Sequence, residues 1–533
     1  MNERAARAAS RPRRRWRRWH RSRWLLLVVA LGLVARLVRL AVDFPIWGDE
    51  AAVACSFLSR DLRGLLQPLE FEMVAPIGWL APTFGLSKLL SPEPWVLRLP
   101  ALVAGSAALV VFACFARRAV GRGGGLAAAA LFAASYYLVR HSAEVKPYAF
   151  DLLFGVGITA SAWRLLRWID DRGAWAAFGA LCAAAVWCSY PAAFVASGAL
   201  LALGVVALHE RRRGAIVAWL LAGAAVAASF IAMYALFGRE QQWTEERLAD
   251  ARHWDDHFLP LSQPWLWPWW LLKELTGNLL AYPNGGPRFG SSATFLLAVA
   301  GGVSLWRSGR RRELLLLTAP LLPMLVASAL RKYPFGGSAR IALHLSVPVC
   351  LLAARGLVAA RGARFVAPAM ALWLAVTIGR DVAHPFKTEQ DVKNRAAIAW
   401  LRDASSKGDR WIVFGAYEKS DLAPDLRGWR GSSGRLRYCL LLGQRAAGVD
   451  LLWAPPPDSL DARAPGRTWL VVYRDNEAPF PEELGSVYRA ELASRLGAPA
   501  EERRLVLGPA SPDPTTGAKR EESLTFLRFR TGS

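Results

Sequence analysis

Long apolar runs dominate the first 380 residues of this chain. The clearest examples are Trp24–Ala41, Ala101–Ala116, Ala192–Leu208, Ala215–Phe237 and Ser292–Trp306. Each is near the roughly 17–25 residues that a helix needs to cross the hydrocarbon layer of a membrane. They are apolar on every side, whereas a helix of a soluble protein carries one apolar stripe. The pattern predicts an all-α polytopic membrane bundle over residues 24–380 and argues against a soluble enzyme.

The pattern changes after Arg380, where short β-like runs alternate with polar and proline-rich stretches. The predicted strands are Trp411–Gly415, Trp469–Tyr473, Arg504–Gly508 and Leu524–Arg528, and Ala396–Asp403 is a predicted amphipathic helix. A stretch of this length is a normal size for one small domain. Residues 381–533 are therefore predicted to form a soluble α/β domain.

Charge sets the expected orientation of the bundle. The 533 residues are 54% hydrophobic, with a mean hydropathy of +0.22 and a formal net charge of +24. Arginine clusters separate the apolar runs, and the segment Met1–Arg23 holds ten arginines and one acid, Glu3. Basic loops stay on the cytoplasmic side. The pattern predicts a cytoplasmic tail over residues 1–23, about eleven spans, and a C-terminal domain outside the cytoplasm, in the inner (plasma) membrane of the cell.

Two larger loops, 43–97 and 238–290, fall on the predicted outer side, and both are rich in aromatic residues suited to the membrane interface. The segments Trp175–Cys188 and Ala192–Leu208 are joined only by Ser189–Pro191. They form either two spans or one kinked segment. A single kinked segment would reverse the predicted membrane orientation of every later span and loop. A basic arm for nucleic acid is the alternative for residues 1–23, but the spread of arginine between spans predicts no nucleic-acid partner.

Two adjacent acids follow the first span, in the segment Phe44-Pro45-Ile46-Trp47-Gly48-Asp49-Glu50-Ala51. Carboxylates at the mouth of a helix bundle are costly unless they face water, a cation or a reacting group. A helix start is the structural alternative, with Asp49 capping a helix that begins at Glu50. The residues alone leave the two interpretations even.

A second polar cluster lies between apolar runs, where Glu144 stands beside Lys146 with His141 nearby. A solvated turn is the alternative to a functional site. A third segment, Lys332–Arg340, adds cations to a side of the membrane that is otherwise poor in them, and Arg98, Lys146, Arg331, Lys332 and Arg340 are candidate phosphate partners. Snorkelling of long cationic side chains is the alternative for each. His344 is expected to be a satisfied buried histidine.

Six cysteines are present, and no CxxC or His/Cys cluster indicates a structural metal site. Cys55 and Cys439 fall in predicted outer segments, and nothing indicates that they pair.

The order of these motifs resembles the C-fold (GT-C) glycosyltransferases. The first span, Trp47-Gly48-Asp49-Glu50-Ala51, the loop Ala75-Pro76-Ile77-Gly78-Trp79 and Arg98-Leu99-Pro100 are similar to the family 39 branch, which includes protein O-mannosyltransferases and lipid A aminoarabinose transferases. Arg140–Tyr148 resembles the second acidic loop of that branch, and Lys332–Arg340 resembles a late outer loop.

The resemblance implies a membrane glycosyltransferase that uses a polyprenyl-phosphate sugar and inverts the anomeric centre. Asp49 is then the candidate base towards a lipid, glycan or protein acceptor, Glu50 shapes its surroundings, and Glu144 orients the acceptor or helps to hold a divalent cation. The implied substrate-binding residues are Arg98, His141, Lys146, Tyr148, Lys332 and Arg340. No metal ligand is assigned.

Two rival functions stay open. A transporter or flippase would also have many spans, but the spans carry no charge deep inside and show no repeat halves. Uptake of a labelled substrate without a glycosylated product would favour it. A noncatalytic scaffold would tolerate alanine at Asp49, Glu50 and Glu144.

Overall fold

The chain forms two compact units in a computed structural model. The first comprises residues 1–42, 75–83 and 98–383, and the second comprises residues 43–74, 84–97 and 384–533. The structure describes residues 23–239, 241, 251–286, 289–414, 434–453, 466–474, 482–496, 498–507, 511–512, 519–520 and 523–529. The predicted tail before Arg23 and the ends of two predicted strands, Gly415 and Gly508, lie outside the described residues.

The described helices are numbered in chain order. They are α1 Arg23–Ala41, α2 Gly48–Ser59, α3 Ile77–Leu89, α4 Pro94–Leu97, α5 Leu99–Ala119, α6 Gly121–Ala134, α7 Tyr136–Arg140, α8 Tyr148–Leu165, α9 Arg172–Cys188, α10 Ala192–His209, α11 Arg213–Met233, α12 Trp267–Thr276, α13 Ser292–Arg307, α14 Arg311–Thr318, α15 Leu321–Ala329, α16 Ser346–Ala359, α17 Ala363–Ala383, α18 Glu389–Ala404, α19 Gly434–Ala447 and α20 Glu482–Leu496.

The first unit is a helix bundle of a multi-span membrane protein. Among the described residues, seven helices are long and apolar enough to cross a membrane, and α9 and α13 are shorter apolar helices. With α6 and α8, which contribute to the same apolar core, the bundle could hold the predicted number of spans. A count of eleven stays a prediction.

The region that the sequence left ambiguous consists of two separate helices. α9 ends at Cys188 and α10 begins at Ala192, with a turn in which Ala192 donates its backbone N–H to the Ser189 carbonyl at 3.2 Å. α9 and α10 also pack against each other. This geometry favours the two-span interpretation over a single kinked segment.

Close approach of backbones holds α13 against α16. A Cβ added to Gly301 would lie 1.9 Å from the Leu352 carbonyl oxygen, and one added to Gly356 would lie 2.1 Å from the Leu297 carbonyl oxygen. Small residues let membrane helices pack closely, where dispersion forces replace the hydrophobic effect between helices. These two glycines therefore set the spacing of the pair.

The C-terminal part of the second unit contains a mixed five-stranded sheet in the order β2-β1-β3-β7-β4. Its strands are β1 Arg410–Phe414, β2 Asp450–Trp453, β3 Thr468–Arg474, β4 Glu501–Val506 and β7 Ser523–Phe529; a separate pair is formed by β5 Ser511–Pro512 and β6 Lys519–Arg520. β1 runs parallel to β2 and β3, while β7 runs antiparallel to β3 and β4. The predicted α/β class is confirmed, although β2 was not predicted.

Alternating side chains give this sheet two buried faces. Trp411, Trp469 and Phe526 pack on one face with residues of α18 and α19. Ile412, Leu470 and Leu527 lie on the other face with Leu492 of α20. The strands are apolar on both sides because helices cover both sides.

Most of the first long loop belongs to this second unit. Residues 43–74 and 84–97, which the sequence placed with the bundle, cluster with residues 384–533. The loop contains α2 and α4, so it is a structured element and not an irregular connection. The acids Asp49 and Glu50 are therefore part of the second unit.

Substitution of Gly356 by alanine is expected to lower the free energy of unfolding by about 1–3 kcal/mol, because the new methyl group would push against the backbone of α13. The measurement is the thermal midpoint of the detergent-solubilised protein. Gly223→Ala in α11 is the matched control, since a Cβ there meets nothing within 4 Å. Equal midpoints for the two variants would contradict this account of the packing.

Candidate functional site

A buried carboxylate organises the turn between α7 and α8. Arg140 ends α7, a 3₁₀ turn covers His141–Ala143, and α8 begins at Tyr148. Arg140 Nε lies 2.6 Å from Glu144 Oε1, and His141 Nδ1 lies 2.6 Å from Glu144 Oε2. Both oxygens of Glu144 therefore have a partner, and the turn is cross-linked by its own side chains.

The charges in this turn follow from those contacts. Burial alone would raise the pKa of Glu144, but the adjacent Arg140 and His141 bring that pKa well below its ordinary value. Burial lowers the pKa of His141, Glu144 opposes this, and the positive charges of Arg140 and Arg340 add to the lowering. A neutral imidazole donates from Nδ1 to the carboxylate and keeps Nε2 as a hydrogen-bond acceptor.

Arg340, which is distant in sequence, acts on this turn through its positive charge. Its charge acts on His141 and also on Tyr333. Burial raises the pKa of Tyr333 well above its ordinary value, Asp151 and Tyr148 add to the rise, and Arg340 opposes it. The Tyr148 ring lies edge-on to the His141 ring with 4.9 Å between centroids. The predicted residues His141, Glu144 and Tyr148 therefore form one cluster through their contacts, and the charge of Arg340 acts on it.

Asp151 is a member of the cluster that sequence reasoning missed. It is buried in the first turn of α8, where Ser189 Oγ lies 2.6 Å from its Oδ1. Ser189 belongs to the short connection between α9 and α10. The signal for Asp151 in the sequence is an aspartate in the first turn of an otherwise apolar helix.

Arg36 supports the turn from within the first span. It is fully buried; its Nε donates to Ser142 Oγ at 3.2 Å and its Nη1 donates to the Gly32 carbonyl at 2.8 Å. Gly105 of α5 approaches the same serine so closely that an added Cβ would overlap Ser142 Oγ. Buried arginines in membrane helices are uncommon and usually functional.

A second carboxylate–histidine pair fixes the loop that carries Arg340. Glu274 of α12 is buried, and His257 Nδ1 lies 2.9 Å from its Oε1. Its Oε2 accepts the Gly337 N–H at 3.0 Å, while Asn278 Nδ2 donates to the Gly337 carbonyl at 3.0 Å. Gly337 has φ +87°, a conformation that favours glycine. None of these holding residues was predicted.

The remaining cationic candidates occupy different surroundings. Arg98 is buried directly before α5, and Lys146 is buried with its backbone N–H bonded to the Glu144 carbonyl at 2.8 Å. Lys332 is exposed. Arg140, which the sequence analysis did not single out, contacts the Glu144 carboxylate.

His344 is buried, as expected, but it is only partly satisfied. Its Nε2 lies 3.2 Å from Met324 Sδ, which is a weak acceptor, and its Nδ1 has no hydrogen-bond partner.

In the second unit, Asp49 and Glu50 both lie in the first turn of α2. Glu50 is buried and accepts the backbone N–H of Trp47 at 3.4 Å at the helix start. Asp49 is half-buried. The helix-start contact that was the structural alternative for Asp49 is seen at Glu50.

Within the described part of the chain, no group of three or more His, Cys, Asp or Glu side chains could hold a metal ion. The divalent cation considered from the sequence consequently has no assigned ligands.

Comparison with known proteins supports the family that the sequence resembled. Residues 77–235 match the family model described as dolichyl-phosphate-mannose-protein mannosyltransferase. Crystal structures of ArnT from Cupriavidus metallidurans, in the apo state and bound to undecaprenyl phosphate, are similar to this chain with a TM-score of 0.50 and 13% identity, over 95% of this chain and 98% of that one. Residues 77–235 are therefore similar to this mannosyltransferase family, and the chain shares the fold of ArnT.

The archaeal oligosaccharyltransferase AglB from Archaeoglobus fulgidus, in complex with an inhibitory peptide and a dolichol-phosphate, has a TM-score of 0.49 and 11% identity over 94% of this chain and 74% of that one. A search of curated proteins finds no significant match. The family match contains the Arg140–Tyr148 turn, while Asp49 and Arg340 lie outside the matched residues.

Lowering the pH from 7 to 5 is expected to destabilise the protein partly through His141. Its lowered pKa means that the unfolded chain takes up this proton first, near pH 6.5, so stability falls as the pH drops below that value, by at most about 2 kcal/mol at pH 5. His141→Asn keeps a donor to Glu144 and should lose less stability over this range. The measurement is the thermal midpoint at each pH.

His384, which is exposed, provides the control for that experiment. His384→Asn should keep the parental pH dependence. The same pH dependence in His141→Asn as in the parent would show that His141 is not the group responsible.

Proposed function

We propose that this protein transfers a sugar from a polyprenyl-phosphate carrier to an acceptor on the extracytoplasmic side of the inner membrane. The observation that carries the proposal is the contact of the buried Glu144 carboxylate with Arg140 and His141, with the charge of Arg340 acting on His141, in a GT-C fold. One protein with this fold, ArnT, has been crystallised with undecaprenyl phosphate bound. A cluster that combines a strong cation with neutral hydrogen-bonding groups suits a lipid-linked phosphate.

Arg340 is the proposed partner of the carrier phosphate. Its guanidinium offers paired N–H donors that match phosphate oxygens, and it is always charged. Its loop is held by Glu274 and Asn278 through Gly337, so the cation is positioned before substrate arrives. Preorganised positive charge stabilises a leaving phosphate without rearrangement during the reaction.

Glu144 has a positioning role in this proposal, because both of its oxygens already bind protein groups. It keeps Arg140 in place and holds His141 in the tautomer whose Nε2 accepts a hydrogen bond. His141 and Tyr148 would then contact the sugar or the acceptor, while Arg98, Lys146 and Lys332 add positive charge for the carrier. The alternative role, in which Glu144 orients the acceptor or helps to hold a divalent cation, would compete with these two contacts.

Asp49 is the proposed general base. Of the two adjacent acids, Glu50 is buried and engaged with the Trp47 backbone, whereas Asp49 is the more exposed. Asp49 would accept the proton of an acceptor hydroxyl or amine as the acceptor atom bonds to the anomeric carbon. The bond from that carbon to the phosphate oxygen breaks, polyprenyl phosphate leaves with the electron pair, and this single displacement inverts the anomeric centre.

Asp49→Asn is expected to reduce sugar transfer by about 10²-fold or more, because an amide cannot take the proton. The assay follows release of polyprenyl phosphate from a panel of labelled polyprenyl-phosphate sugars by purified protein. Asp61→Asn, in an exposed acid of the same loop, is the matched control and should transfer at the parental rate. Near-parental transfer by Asp49→Asn would remove Asp49 as the base.

Arg340→Ala is expected to lower kcat/KM for the carrier-linked sugar by about 10–100-fold through loss of a charge-assisted contact. Arg340→Lys should recover only part of this, since lysine keeps the charge but not the paired donors. Arg331 is another phosphate candidate from the sequence, but it pairs with Asp255 in the structure, so Arg331→Ala is the control from the same loop. Equal effects of Arg340→Ala and Arg331→Ala would argue against a specific phosphate contact.

A further inference from the structure

Helix α2, which begins with the acidic pair, is buried along almost its whole length. The residues from Glu50 to Leu58 are all buried, and Val53, Cys55 and Phe57 have no exposed surface. Its main packing partner is α19, a helix of the C-terminal α/β domain. A helix with no polar face towards solvent depends on its neighbours for its position.

A buried ion pair connects the loop that follows α2 to α19. Arg437 Nε lies 2.9 Å from Glu70 Oε2, and the two side chains are 4% and 2% exposed. The other oxygen of Glu70 accepts a hydrogen bond from Ser59, the last residue of α2, and the Glu70 N–H bonds to Ser56 Oγ at 3.1 Å. Arg437 also stacks on Trp453 of β2, 4.4 Å from the ring centroid. The pair therefore links α2, its loop and the sheet.

Backbone carbonyls of the loop receive further donors from α19. Arg445 Nη2 donates to the Leu58 carbonyl at 2.6 Å, and the Tyr438 hydroxyl donates to the Pro92 carbonyl at 2.7 Å. These contacts secure the end of α2 and the approach to α4.

The beginning of α2 has its own connections to residues that follow the last span. Arg395 of α18 donates to the carbonyl and to Oδ2 of Asp43, at 3.1 and 2.7 Å. Lys387 Nζ lies over the Trp47 ring, 2.8 Å from its centroid. Both ends of the helix are thus tied to one domain.

We infer that the C-terminal α/β domain is a support that positions α2 and its acid for catalysis, with Glu70 and Arg437 as its buried anchor. The inference rests on the proposed function of Asp49. A domain that only recruited acceptor would not need a desolvated ion pair to the catalytic loop, since breaking such a pair leaves an uncompensated buried charge. Glu70 and Arg437 are positioning residues, because they act on the reaction through α2.

The test compares Glu70→Gln, Arg437→Met and the double variant. Each single variant strands one buried charge and should let α2 shift, which is expected to lower kcat about 10²-fold while KM for the carrier-linked sugar changes little. The double variant removes both charges together and should recover most of kcat, because buried ion pairs are often replaceable by neutral groups of similar shape.

A second readout reports on α2 without using activity. In a background where the other five cysteines are replaced by alanine, Cys55 in the middle of α2 is shielded from a maleimide. Labelling of Cys55 should be slow in the parent and the double variant and faster in both single variants. Arg489→Met and Glu502→Gln, which break an exposed ion pair of the same domain, are the controls and should match the parent in both readouts.

Parental kcat and slow Cys55 labelling in both single variants would overturn the inference. So would a double variant as slow as the single variants, since that result would place Glu70 or Arg437 in the reaction itself. If the parent transfers sugar from no polyprenyl-phosphate donor, the proposed function fails, and the labelling rates alone then decide whether the domain holds α2.

Discussion

The ion pair between Glu144 and Arg140, completed by His141, is the interaction on which the candidate site depends. A carboxylate inside a helix bundle is stable in its charged form only if cations or hydrogen-bond donors replace water around it. Here the replacement comes from residues three and four positions before it in the sequence. The turn between α7 and α8 is consequently rigid, and the imidazole at its centre is presented in one tautomer. Arg36, Asp151 and Arg340 are arranged around this fixed point.

Buried glutamates are paired with protein groups in two other places. His257 and Asn278 act with Glu274 to hold the Gly337 turn, and Arg437 acts with Glu70 to hold the loop after α2. In each case a buried glutamate uses both of its oxygens to join segments that are far apart in the sequence. Glu50 and Glu144 likewise bind protein groups close in sequence to residues that are proposed to react.

The sequence predicted what depends on local pattern. Apolar length predicted the bundle, alternation after Arg380 predicted four of the strands, and the short motifs around Asp49, Glu144 and Arg340 carried the resemblance to the GT-C family. Pairings between distant residues could not be predicted, because neither hydropathy nor spacing indicates that Arg437 meets Glu70 or that Glu274 meets Gly337. The assignment of the two adjacent acids also needed coordinates, since only the direction of the Glu50 side chain shows which one closes the helix start.

The order in which the second unit is synthesised gives its topology a further consequence. Residues 43–74 and 84–97 leave the ribosome about 300 residues ahead of residues 384–533, which complete the same unit. The sheet beneath α19 is itself incomplete until residues 523–529 insert as β7 between β3 and β4. Helix α2 is therefore synthesised before its final neighbours, which follow only after the intervening helices have entered the bilayer. Final positioning of the carboxylate that we propose as the base becomes a late event in biogenesis, so a partly translated chain would be inserted in the membrane but inactive.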